Sequence, residues 1–368
     1  MVLNDLPTPQ VLVDHHRLLN NIARVQQLAD AAGVALRPHA KTHKSPIIAR
    51  WQLDRGAIGI CCAKLGEAEV FADAGIRDIR LPYPINPTNA LRLVALMDRT
   101  TISIVVDHPA VARQWSEAMR RVGRSLDVLV KVDVGFHRCG IDPDANPIDF
   151  IQQVASMPGL SVRGLLSHAG HGYRAVSSAE LKAVARRESD ILHSLRTRAA
   201  EAGVSLEELS VGATPTLRFS AGEPGLTELR PGNYVFFDRT QVALGSASLE
   251  DCALSVLATV VSKPSGDRII LDCGSKTLSS DLAPHRTGYG AVFTHDGSAI
   301  DETLTIERLS EEHAVVKVEG RTALEPGARV RVLPNHSCVV TNLADEVRLV
   351  EGNQVTMTLP VAARGKIT

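Results

Sequence analysis

Residues 34–45 read VALRPHAKTHKS: an apolar lead-in, a proline, and then Lys41 and Lys44 crowded with His39 and His43 into six positions. The apolar part has the composition of a short buried strand, so the cations stand where that strand ends. Working outward, seven further runs repeat the strand pattern: 57–63, 78–84, 102–107, 128–135, 162–170, 208–216 and 229–238. Helical stretches fit between them. Leu18, Ile22, Val25 and Leu28 recur at helical spacing, Glu67 to Asp73 continue the theme, and residues 177–203 are amphipathic over many turns. Eight strands alternating with helices predict a parallel sheet, and the span suits a closed (β/α)₈ barrel of roughly 250 residues. An open doubly wound sheet is the alternative, but no G-x-G-x-x-G follows the first strand, which weakens its dinucleotide-binding version.

Beyond about residue 240 the helical pattern gives way to strand-like runs at 254–264, 268–276, 313–319, 328–337 and 355–362. The expected organisation is an α/β barrel over 15–240 and a β-rich domain made of 1–14 and 241–368, with PQVLVD (9–14) pairing into the latter. Forty basic and forty-one acidic residues among 368 give a formal charge of −1, which removes the electrostatic argument for nucleic acid or an anionic membrane. No apolar run approaches the roughly 18 residues of a membrane span, and MVLNDLPTPQ lacks the parts of a secretory signal, so a cytoplasmic protein is expected. Six scattered cysteines without C-x-x-C spacing read as reduced thiols, with Cys61 and Cys62 as barrel packing.

Barrel enzymes carry their chemistry at the carboxyl ends of the strands. The first end bears His39 and Lys41; the fifth Asp133, Gly135, His137 and Arg138; the sixth His168, His171 and Tyr173; the seventh Gly212 and Thr214; the eighth Gly232, Asn233 and Tyr234. The last two ends are suited to a phosphate, because glycine admits the anion to the backbone and threonine adds a hydroxyl donor. Tight turns explain either segment equally well when it is taken alone. A lysine at the mouth of a barrel that holds a phosphorylated aldehyde can form an imine, provided burial or cationic neighbours such as Lys44, Arg37 and the two histidines bring it below about 10.4.

In this order, TPQVLVD, RPHAKTHK, GICCAKLGEAEVFADAGIRDI, VDVGFHRCG, SHAGHGY, GATPT, RPGNYVFFD and PNHSC resemble the family of D-threonine aldolases and eukaryotic-type D-serine dehydratases, pyridoxal phosphate enzymes of the alanine racemase fold. The resemblance implies that Lys41 carries pyridoxal phosphate as an imine. It also implies phosphate contacts from Gly212, Thr214, Gly232 and Asn233, with Arg138 and Tyr173 beside the cofactor ring. His336 and Cys338, which i, i+2 spacing on an extended strand would turn to one face, match the family's divalent-metal dyad. A cysteine there resembles the zinc-dependent dehydratases more than the aldolases, so zinc is preferred to manganese or magnesium.

The resemblance further implies a lyase acting on D-3-hydroxy amino acids, by dehydration or by retro-aldol cleavage, with Lys41 at the centre of catalysis and a homodimer as the assembly; His43 beside it is a second catalytic candidate, as a base or a supporting group. His168 and His171 are further candidates for bases or supporting groups, and Lys276 and Asp281 for residues facing the site from the β domain. An amino-acid racemase of the same fold is the competing reading; it would need a second base and no metal.

Overall fold

The computed structural model describes residues 1–294 and 297–368. Its contacts divide the chain into two compact units, one of residues Met1–Ala23, Thr42–Ile47 and Asn233–Arg364, the other of Arg24–Lys41, Ile48–Gly232 and Gly365–Thr368.

The second of these holds eight parallel strands, Ala35–Leu36, Ile60–Cys61, Asp78–Pro84, Thr101–Val106, Leu126–Lys131, Leu160–Leu166, Glu208–Val211 and Glu228–Leu229. From the second to the eighth each pairs with its successor, the eighth pairs with the first, and an isolated bridge between His39, beyond the first strand, and Cys61 joins the first to the second. The sheet is therefore a closed barrel, as the alternation predicts, and the open sheet is set aside. The runs at 34–40 and 57–63 shorten to two paired residues each, and of the run at 229–238 only Leu229 lies in a strand, the two-residue Glu228–Leu229. Pro38 and Pro231 account for two of these early endings, because proline has no N–H to continue a ladder.

Parallel strands are covered on both faces, which explains why their apolar runs are continuous. Val105, Leu129 and Leu166 form one such wholly buried cluster. Near the strands' amino ends, however, the packing is ionic. Arg37 Nε donates to Glu228 Oε2 at 2.7 Å, Arg80 Nη1 to Glu228 Oε1 at 2.6 Å, and Arg80 Nη2 to Glu208 Oε2 at 2.7 Å. The long helix Ser178–Glu201 starts where Ser177 Oγ accepts the Glu180 N–H, and it buries Leu181, Ala185, Glu188, Leu192, Leu195 and Ala199 at helical spacing.

The other unit is built on a nine-stranded sheet. Leu254–Ser265, Arg268–Leu271, Ala314–Val318, Ile300–Leu309, Ala291–Phe293 and Arg329–Leu333 pair in that order, all antiparallel, and the last returns to the first to close a ring. Gln10–Asp14 extends the ring by pairing with Leu254–Ser265, and lies parallel to Glu346–Glu351, which forms a hairpin with Gln354–Pro360. PQVLVD thus joins the β sheet. The run at 268–276 stops as a strand at Leu271 and turns into the short helix Ser275–Leu278. The run at 328–337 stops at Leu333, before Pro334, with consequences for the two metal-ligand candidates. All six cysteines are free, and no helix among the described residues is long and apolar enough to cross a membrane.

Candidate active site

In the barrel unit, the chain leaves the first strand stitched on both sides: His39 N–H donates to Pro231 O at 2.9 Å, and Cys61 N–H to Pro38 O at 2.7 Å. Lys41 follows in a short 3₁₀ turn, exposed, with its N–H 3.4 Å from His39 Nδ1. Arg37, expected among the cations around Lys41, is instead bound to Glu228 and Asp78 in the ionic layer.

The loop after the fifth strand is organised by Asp133, whose Oδ1 accepts the N–H groups of Gly135, Phe136 and His137 at 2.9, 3.0 and 3.0 Å. Burial works the other way, but those bonds hold its carboxyl below the usual range. Gly140 closes the loop with φ 120°, where a Cβ would lie 2.5 Å from Asp133 N. The Arg138 guanidinium sits over the Phe136 ring, 5.0 Å from its centre, and the Phe136 and His168 rings meet in a T-shaped contact with centres 5.7 Å apart.

His168 Nδ1 bonds the Gly212 carbonyl. A carbonyl only accepts, so Nδ1 carries the proton and Nε2 presents a lone pair. Burial and the positive charges of Lys41 and Lys131 push this imidazole well below its ordinary pKa, so it is neutral. The seventh and eighth strands explain Gly212, because a Cβ there would lie 2.9 Å from Arg230 Cβ. Arg230 itself donates to Ser210 Oγ and Ser167 O, tying the two strands that carry Gly212 and His168. Thr214 is buried and its hydroxyl has no hydrogen-bond partner. Such an orphaned donor costs stability unless something occupies its front, which fits a phosphate. Gly232 is buried; His171 and Tyr173 are half-buried, both within the turn Gly170–Arg174.

Lys131 and Glu188 escaped the sequence reading. Lys131 ends the fifth strand, and burial together with Arg230 brings its amine down to about 7. Its signal was present, a lysine closing an otherwise apolar run. Glu188 lies in the buried stripe of the long helix, accepts from Ser167 Oγ at 2.6 Å, and is raised by burial.

In the other unit, His336 and Cys338 do not share the face of a strand. His336 caps the helix Ser337–Leu343 and Cys338 lies in its first turn, yet their side chains still meet, joined by a hydrogen bond. The expectation was right about proximity and wrong about its cause. Buried Asp238 seats this turn: its Oδ2 accepts from Ser337 N at 3.0 Å, and its Oδ1 from Gln241 N at 3.1 Å. The Asn233 side chain donates to Asp238 and to Ser337 Oγ, and lies 3.7 Å from Cys338 Sγ, which leaves its backbone for any anion. Thr42 Oγ1 is 3.2 Å from Cys338 Sγ. His43 is buried, with Nδ1 accepting from Ser45 N at 3.1 Å.

His336 Nδ1 is 2.6 Å from Asp281 Oδ2. Burial opposes a charge on the ring, but Cys338, Asp238 and Asp281 outweigh it and push the imidazole up to about 10. A cation is thus welcome at this point, and imidazole with thiolate suits a divalent metal. No group of three or more His, Cys, Asp or Glu side chains placed to hold a metal occurs among the described residues. Lys276 stands apart, paired with Glu312 at 2.8 Å on the surface.

Residues 13–240 match the alanine racemase N-terminal domain family and residues 253–350 a serine dehydratase domain family. A D-threonine aldolase of Arthrobacter sp. is 37% identical, with 97% of this chain and 93% of that one covered. A cysteine variant of D-threo-3-hydroxyaspartate dehydratase, solved in its metal-free form, superposes with a TM-score of 0.92 at 31% identity over 98% of both chains. Alanine racemase of Clostridium difficile shares the fold alone, at 12% identity and TM-score 0.73 over 97% of this chain and 99% of that one. The chain belongs to the family of D-threonine aldolases and D-serine dehydratases, pyridoxal phosphate-dependent lyases of the alanine racemase fold.

Proposed function

We propose that this lyase removes water from a D-3-hydroxy amino acid, giving an oxo acid and ammonia, with Lys41 as the cofactor-bearing base. The observation that carries it is the His336–Cys338 pair, with Asp281 on the far nitrogen of the imidazole. Pyridoxal phosphate supplies an electron sink for negative charge at the substrate's Cα. A divalent metal held by His336 and Cys338 supplies Lewis acidity toward a hydroxyl, and the soft thiolate favours zinc.

The chain's own groups divide the remaining work. Thr214 would offer its buried hydroxyl to the phosphate, and the backbone at Gly212, Gly232 and Asn233 would complete the cradle. Arg138 and Tyr173 would lie beside the cofactor ring, where an arginine or tyrosine in place of a carboxylate would leave the ring nitrogen less protonated. His168 is neutral, fixed through Nδ1, and keeps Nε2 ready to accept a hydrogen bond. The Lys41 amine takes the proton from Cα and returns one to the product. Retro-aldol cleavage is the second reading, favoured by the 37% identity to a D-threonine aldolase; there a base takes the hydroxyl proton, and the bond between Cα and Cβ breaks to glycine and an aldehyde.

Incubation with D-serine and D-threonine separates the two. Pyruvate, 2-oxobutanoate and ammonia are expected, whereas acetaldehyde and glycine without oxo acid overturn the dehydration. Chelation should abolish turnover, and zinc should restore more of it than manganese or magnesium.

Thr214→Val tests the cradle apart from catalysis. Valine keeps the shape and removes a donor that bonds nothing within the protein. The cofactor should therefore dissociate roughly 10- to 150-fold more easily, the worth of a hydrogen bond to a charged group. Without cofactor the variant should melt no lower than the parent protein.

A further inference from the structure

The dyad leaves one question open: what decides which imidazole nitrogen His336 offers. Asp281 lies in the loop 279–290, between the helix Ser275–Leu278 and the strand Ala291–Phe293. That loop is held by buried Asn335, whose Nδ2 donates to the carbonyls of both Asp281 and Gly288 at 2.9 Å, so one amide spans it. Arg239 Nη1 fastens the same loop through Thr287 O at 2.7 Å. Asp281 N–H is itself bound to Ser279 Oγ at 3.2 Å. Its carboxylate is therefore presented by a pinned backbone, and it meets His336 Nδ1 at 2.6 Å.

We infer that Asp281 is a positioning residue, which holds the proton of His336 on Nδ1 and turns Nε2 to the metal, and that Asn335 seats the loop from which it acts. The inference rests on the reading of His336 as a metal ligand. A carboxylate can only accept from a neutral ring, so the bond selects the tautomer, and it also fixes the plane of the imidazole. Asn335 directly precedes His336, so one short stretch both provides the ligand and seats the loop that orients it. Asp281 is half-exposed, with 45% of its side chain open, and its loss removes no core packing.

The test uses the full chain stripped of metal and titrated with zinc against a chromophoric chelator, with cofactor absorbance followed in parallel. Asp281→Ala should bind zinc about 10- to 100-fold more weakly and keep its cofactor band. Asp281→Asn, whose amide oxygen can still accept from Nδ1, should recover most of that loss. Unchanged zinc affinity in Asp281→Ala overturns the inference, as does equal weakening in both variants accompanied by a lowered melting temperature. His336→Ala separates the two levels of the argument: if it binds zinc like the parent protein, the metal-dyad reading itself fails.

Discussion

Lys41→Ala should abolish the long-wavelength absorbance of the bound cofactor and lower turnover by roughly 10⁴- to 10⁶-fold, the range found when a residue that carries covalent catalysis is removed. Stability should hardly change, because Lys41 is exposed in a short turn and its removal opens no cavity. The neighbouring backbone bonds, from His39 to Pro231 and from Cys61 to Pro38, do not involve its side chain. A merely structural lysine would give the reverse pattern, a lower melting temperature with the band intact. Added methylamine supplies a small primary amine in place of the missing one, so partial recovery of turnover in the variant is expected. Retention of the band in Lys41→Ala would sink the assignment of the cofactor lysine.

The alternation of strands and helices was legible because parallel strands are apolar on both faces and leave a continuous signal, as at Val128–Val130. Strand ends were less legible. Run 229–238 reads as one extended segment, yet the strand ends at Leu229, two residues before Pro231, and Asn233–Val235 coil into a 3₁₀ turn. Local pattern also misplaced His336 and Cys338, since what curls that segment into a helix is Asp238, 99 residues before the Ser337 N–H it accepts. Asp281 is 55 residues from His336, and no spacing rule connects them. Lys131 could have been noticed as a charge at a strand end, but that its amine lies near Arg230 depends on barrel closure. Candidate site residues are legible by type and position; the neighbours that hold them in place are defined only by the tertiary structure.

The same limit hides the residue whose loss should most weaken the barrel. Glu228 is buried, and its two oxygens accept from Arg80, Ser210 and Arg37. Both arginines are almost wholly covered, so neutralising Glu228 leaves two cations inside the barrel without their shared anion. Glu228→Gln should therefore cost about 3–5 kcal/mol, measured as a shift in the denaturant midpoint. Glu208→Gln is the matched control: Glu208 binds Arg80 at 2.7 Å, but 26% of its side chain is open, and its loss should cost about 1 kcal/mol or less. Acid should distinguish the two as well. Burial pushes the Glu228 carboxyl upward, but Arg80, Arg37 and Arg230 outweigh it and hold it down to about 2. Because this lies below the unfolded value of about 4.3, its contribution is fully present above that pH and is lost as pH falls toward 2. The parent protein should lose stability through that window, and Glu228→Gln should show a flatter profile there. Equal midpoints for the two variants, or parallel acid profiles for Glu228→Gln and the parent, would show that the buried ion layer is not what holds the amino ends of the strands together.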